Sequence, residues 1–109
     1  PEEKAARAQA IQEAFRQAAL VPLGVARDAL QAMALGRQVI AGGNPNAASD
    51  GAAGVLAARM AARAAVYNVK INLGSIKDER FTAELKAEAD RLETEADALE
   101  AEALKLLKL

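Results

Sequence analysis

Neither cysteine nor histidine occurs in these 109 residues. Without cysteine there is no disulfide, no thiolate metal site and no thiol nucleophile. Without histidine the commonest general base and metal ligand is missing, and a Ser-His triad is excluded. Proton transfer would fall to carboxylates, lysine, tyrosine, an amide-positioned water or groups outside the chain. Aromatic residues are scarce, at 3%, and no β-branched or aromatic run reads as a strand. No segment reads as apolar and long enough to span a membrane, and no secretory signal is present. The expected location is the cytoplasm, with no membrane partner.

What is there is alanine and leucine. Hydrophobic residues reach 52% with almost no aromatic contribution, which favours helices packed closely through small side chains. The expected fold is all-α, an antiparallel bundle of long helices forming one domain or part of one. The net charge of −1 conceals an asymmetry. Residues 1–77 carry nine Lys or Arg against five Asp or Glu, and residues 78–109 carry five against ten. A mildly basic body followed by an acidic helix lacks the clustered basic face of a nucleic-acid binder.

Pro1-Glu2-Glu3 suits the first turn of a helix, and the chain reads as a fragment of a longer protein. The first helix is expected to kink, or to stop and restart, at Pro22, because proline lacks an amide hydrogen and crowds the preceding turn. Ala41-Gly42-Gly43 should end it. Asn44-Pro45-Asn46 has turn chemistry, and Ser49 or Asp50 is the expected cap of a second helix over about residues 50–73. Gly74-Ser75-Ile76 breaks that helix. A third, from about Asp78 to Lys108, spaces Leu85, Leu92, Leu99 and Leu106 in heptads with Ala89, Ala96 and Ala103 between them.

The second helix divides by face when projected at about 100° per residue. Arg59, Arg63 and Lys70 share one side. Asp50, Gly54, Ala57, Ala61, Ala65, Asn68 and Asn72 share the opposite side. Small residues there would let another backbone come close, so the two asparagines are expected in a tight seam. A buried amide needs a hydrogen-bonding partner, which is either a neighbouring helix or a ligand.

An ordered set of motifs runs through the chain: Val21-Pro22-Leu23, Gly43-Asn44-Pro45-Asn46, Ser49-Asp50, Arg59, Asn68-Val69-Lys70-Ile71-Asn72-Leu73 and Ile76-Lys77-Asp78. Over roughly residues 5–81 it resembles the cyclodeaminase and methenyltetrahydrofolate cyclohydrolase family. That family includes the C-terminal domain of formimidoyltransferase-cyclodeaminase. Its members are longer, and their glycine-rich GGGS-like segment is absent here. The resemblance implies the C-terminal half of one helical domain, which would pair with an N-terminal half and form a homodimer. Where the family often has Glu-Gly, this chain has Arg63-Ala64.

The resemblance implies one of two folate reactions. A cyclodeaminase, a lyase, closes 5-formiminotetrahydrofolate to 5,10-methenyltetrahydrofolate and releases ammonia. A cyclohydrolase, a hydrolase, interconverts the methenyl and 10-formyl forms with water. Neither needs a metal or a redox cofactor. Asp50 is the one acid between Asp28 and Asp78, so it is the catalytic candidate, with helix capping as its other role. Asn46, Asn68 and Asn72 are candidates for the folate itself, and Arg59 and Lys70 for its anionic tail. A turn for Asn46, helix-to-helix bonding for Asn68 and Asn72, and a solvated face for the cations are their bland roles. The competing function is a non-catalytic helical-bundle assembly module, or an inactive fragment.

Overall fold

A computed structural model describes residues 1–109, and it contains three helices and no strand. Helix α1 spans Glu2–Ala41, α2 spans Pro45–Leu73 and α3 spans Glu79–Leu106. They form a narrow rod 66 Å long and 19 × 15 Å across. Ion pairs fix the directions. Arg16, Arg27 and Arg37 of α1 meet Asp78, Glu88 and Glu102 of α3 in ascending order, so these helices run parallel. Lys70, Arg63 and Arg59 of α2 meet Asp90, Glu93, Asp97 and Glu100 in descending order, so α2 runs against α3.

One boundary differs from expectation, and of the kink or the break expected at Pro22 the break does not occur. Helix α1 neither stops nor restarts at Pro22 and continues as one helix of 40 residues. Proline removes a single donor, and Ala and Leu on both sides favour helix strongly enough to carry it through. Helix α2 begins at Pro45, ahead of the expected Ser49 or Asp50 cap. Asn44 is the cap, its Oδ1 accepting from the Asn46 amide at 3.0 Å. Pro45 fills the first helical position, where its missing amide hydrogen costs nothing. Asp50 is therefore inside the helix, exposed, and caps nothing. The α1–α2 turn closes through Gly43, whose φ of +84 disfavours other residues. Asp78 caps α3, accepting from the Phe81 amide at 3.1 Å.

The core runs along the axis. Met33 from α1 and Val55, Val66 and Val69 from α2 are its largest fully buried side chains. The heptad face of α3 closes it with Leu85, Ala89, Leu92, Ala96 and Ala103. At the hairpin end α1 and α2 nearly touch through Gly36 and Gly51. A methyl group on Gly36 would stand 2.7 Å from Val55 Cγ2 and 3.1 Å from the Gly51 carbonyl oxygen.

Of the small-residue stripe of α2, only Ala65 is buried and only Asn72 is half-buried. Gly54, Ala57, Ala61 and Asn68 are exposed, and nothing lies within 4 Å of a methyl group built on Gly54. The close approach occurs instead at Gly36 and Gly51, on a neighbouring face. By length and composition α1 also qualifies for crossing a membrane, contrary to the reading of the sequence. A long core helix has the same composition, and here α1 packs against both other helices.

Candidate functional site

Pro22 leaves the carbonyl oxygen of Ala18 without its helical donor, because the amide hydrogen four residues on does not exist. An unpaired carbonyl beside a packed helix needs another partner. Helix α2 provides one. Asn72 Nδ2 donates to the Ala18 carbonyl at 3.2 Å and to the Asn68 carbonyl one turn earlier at 2.8 Å. Two carbonyl oxygens around one amide terminus identify that terminus as the NH2 group.

A groove of about 520 Å³ opens beside this bond. Val21, Pro22 and Val25 of α1 form one wall, and Ala61, Ala64, Asn68 and Asn72 of α2 form the other. The small side chains of α2 make the depression, and the proline ring and valines give it an apolar lining. Its volume falls within the range of small-molecule sites. Asn68 is exposed, and its side chain makes no hydrogen bond. Asn72 is half-buried. The groove thus combines apolar walls with two amides and has no titratable side chain in its lining.

The other candidates lie elsewhere. Asn46 belongs to the N-terminal cap of α2. Asp50 is separated from Asn68 by about 27 Å of helix at roughly 1.5 Å per residue. One chain therefore does not bring Asp50 together with the asparagine pair, although they share a helix side. Arg59 and Lys70 face away from the groove, toward α3. The Arg59 side chain is only 7% exposed and pairs with Asp97, with Glu100 at 4.0 Å. Its burial overturns the solvated-face reading, because α3 covers it. Lys70 Nζ stands 2.6 Å from Asp90 Oδ1, and that hydrogen bond raises the lysine pKa and lowers the aspartate's. These cations are matched by acids of the same chain, which weakens their pull on an anionic ligand.

One contact had no signal in the sequence. Gln12 Nε2 donates to the Ser75 carbonyl at 3.2 Å, and Gln12 Oε1 accepts from the Lys77 amide at 2.9 Å. A single glutamine therefore fastens the α2–α3 loop. A larger hollow of about 820 Å³ surrounds it, with Glu13, Arg16 and Lys77 in its lining. Its Gln12 and Arg16 are already engaged, Arg16 with Glu13 and Asp78.

Comparison with known proteins identifies the lineage. The formiminotransferase-cyclodeaminase family model matches residues 1–91. A methenyltetrahydrofolate cyclohydrolase of Methylorubrum extorquens is 40% identical over 91 residues, covering 84% of this chain and 44% of that protein. The formimidoyltransferase-cyclodeaminase of Sus scrofa is 33% identical over 92 residues, covering 84% of this chain and 17% of that protein. The chain thus spans less than half the length of the relatives it matches. Helix α1, helix α2, the groove between them and the first part of α3 all lie in the matched region, and the chain belongs to the formiminotransferase-cyclodeaminase family.

Proposed function

We propose that this chain supplies part of a folate site in one-carbon metabolism, with methenyltetrahydrofolate cyclohydrolase activity as the first reading and formiminotetrahydrofolate cyclodeaminase activity as the second. The observation that carries it is the apolar groove bearing Asn68 and Asn72 between α1 and α2, inside the region shared with enzymes of those names. In the hydrolytic reaction, water adds to the methenyl carbon and the bond from that carbon to N5 breaks. The products are 10-formyltetrahydrofolate and a proton. An amide can orient that water, and holding the reactants in place supplies much of the rate. The cyclodeaminase reaction joins N10 to the formimino carbon and breaks the bond to ammonia, which must leave protonated. Both steps need a proton at the departing nitrogen, and the groove lining carries no acid, so that proton comes from outside it. The relative of higher identity bears the hydrolase name, which puts the hydrolytic reading first.

In this reading Asn68 and Asn72 bind substrate, and any acid comes from outside the groove. Asp50 serves the reaction only if assembly brings it there. Neither reaction calls for a metal or a redox cofactor. The chain corresponds to the C-terminal half of its domain, and the protein works in the cytoplasm as a homodimer. Val21, Met60 and Ile71 support a larger assembly, since they are 65%, 72% and 74% exposed on α1 and α2. The test is to incubate the intact protein with 5,10-methenyltetrahydrofolate and follow the methenyl chromophore, with formation from 5-formiminotetrahydrofolate as the second assay. Turnover above the spontaneous rate is expected in the first. No turnover in either assay removes the reading.

A further inference from the structure

The two ends of the Asn72 side chain have different fates. Its NH2 group is spent on the Ala18 and Asn68 carbonyls, at 3.2 and 2.8 Å. Reversing the amide would set its oxygen against two other oxygens, so the orientation is fixed. Its Oδ1 accepts nothing from the protein, and the half-buried residue lines both this groove and a smaller apolar hollow beside Phe15. Asn68 differs, because its free amide turns to present either a donor or an acceptor. Of the two groove amides, only Asn72 imposes a hydrogen-bonding sign.

We propose that Asn72 Oδ1 is a specificity determinant that selects ligands presenting an N–H donor edge to the α1–α2 groove. This rests on the folate reading, which makes the donor the 2-amino group of the pterin ring. The flat ring packs between Val21, Pro22 and Val25 on one wall and Ala61 and Ala64 on the other. A ligand filling the groove strips water from Oδ1. One with a donor restores the lost hydrogen bond, and one without leaves the acceptor unsatisfied. Asn68 then adapts to whatever the ligand offers beside that donor.

The test compares two tetrahydrofolates that differ only in carrying an amino or a methyl group at pterin C2. Their affinities for the intact protein are measured by calorimetry. The wild type is expected to prefer the amino ligand about tenfold, the usual consequence of an acceptor left unpaired. A Pro22→Ala/Asn72→Ala variant is expected to lose that preference. The amide hydrogen gained at position 22 restores the helical bond to Ala18, so α1 does not depend on the deleted side chain. The ratio of the two ligands within each protein cancels the altered wall. The wild-type ratio stands as a test by itself if the variant does not fold, and a ratio near one overturns the proposal. Equal preference in both proteins overturns the role of Asn72 and leaves the folate reading in place. No binding of the amino ligand by the wild type removes the folate reading and this proposal together.

Discussion

Asn72 supplies the hydrogen bond that Pro22 withholds: the amide of one helix stands 3.2 Å from the carbonyl that the proline of another strands at Ala18. The two residues are distant in sequence and share one task. The Val21-Pro22-Leu23 and Asn68–Leu73 motifs are therefore parts of a single device.

The pairing makes their effects on stability non-additive. Asn72→Ala alone should destabilise by about 1–2 kcal/mol, the cost of a lost bond and an unpaired carbonyl. In a Pro22→Ala background the same change should cost less than about half of that, because the new amide serves Ala18. Chemical denaturation of the four proteins in the cycle checks this. An unchanged cost of Asn72→Ala would show that the two residues act independently.

Glycine-to-alanine changes should separate by position. Gly36→Ala drives a methyl group to within 2.7 Å of Val55 Cγ2, and that short branched side chain has little freedom to move. A loss of about 1–3 kcal/mol is expected from overpacking, which outweighs the helical preference for alanine. Gly24 is also inside α1, but nothing lies within 4 Å of its added methyl group. Gly24→Ala should stabilise by about 0.5–1 kcal/mol. Thermal midpoints moving in the same direction for both would contradict this account.

Arg59 presents an asymmetry of its own. Its side chain is buried, and its Nη1 has no hydrogen-bond partner. Asp97, which it pairs with, is 59% exposed. Removing the acid leaves a guanidinium under α3 with only the longer contact to Glu100, whereas removing the arginine leaves a solvated carboxylate. Asp97→Ala should therefore cost about 1–3 kcal/mol, and Arg59→Met less than that. Unfolding curves for the two variants decide the order, and the reverse order would sink the argument.

Acid should loosen the α2–α3 contact. The hydrogen bond from Lys70 of α2 holds the Asp90 pKa below its ordinary value. Within α3 the bond from Arg91 does the same for Glu88, which also meets Arg27 of α1. A carboxylate whose pKa is depressed on folding contributes stability above its unfolded pKa and loses it as pH falls through the folded value. The loss should begin near pH 4, where free carboxylates titrate, and grow below it. Lys70 gives the opposite limb, since its raised pKa removes the pair's contribution only at strongly alkaline pH. Both groups are at the surface, so added salt should shrink the effect. Melting temperatures of wild type and Asp90→Asn at neutral and acid pH check it, and the variant should show the smaller acid loss.

The elements that could be read from the sequence are those with a local cause. The heptads of α3 place Leu85, Ala89, Leu92, Ala96 and Ala103 in the core because spacing alone puts them on one face. Gly43 shows its role through turn chemistry, and the start of α3 fell within one residue of the expected Asp78. The same local signals misplaced the start of α2, where Asn44-Pro45 competes with Ser49-Asp50 as a cap and lies first. The functional groove was half legible. Helical projection put Asn68 and Asn72 on the small-residue face, and both line the groove. It also put Asp50 there, since projection preserves angle and discards the distance along the axis. Arg59 was misread for a related reason: only packing shows which side of α2 an acidic helix will cover. The Ala18 carbonyl was foreseeably unpaired, but its partner came from another helix.

The order in which the chain is made gives the charge rows a further meaning. Arg16, Arg27 and Arg37 of α1 and Arg59, Arg63 and Lys70 of α2 are all synthesised before most of the carboxylates that they meet on α3. The nascent hairpin therefore emerges with an excess of positive charge, which opposes its own compaction. Relief comes with α3, which brings its acids to both hairpin arms after the hairpin has been made.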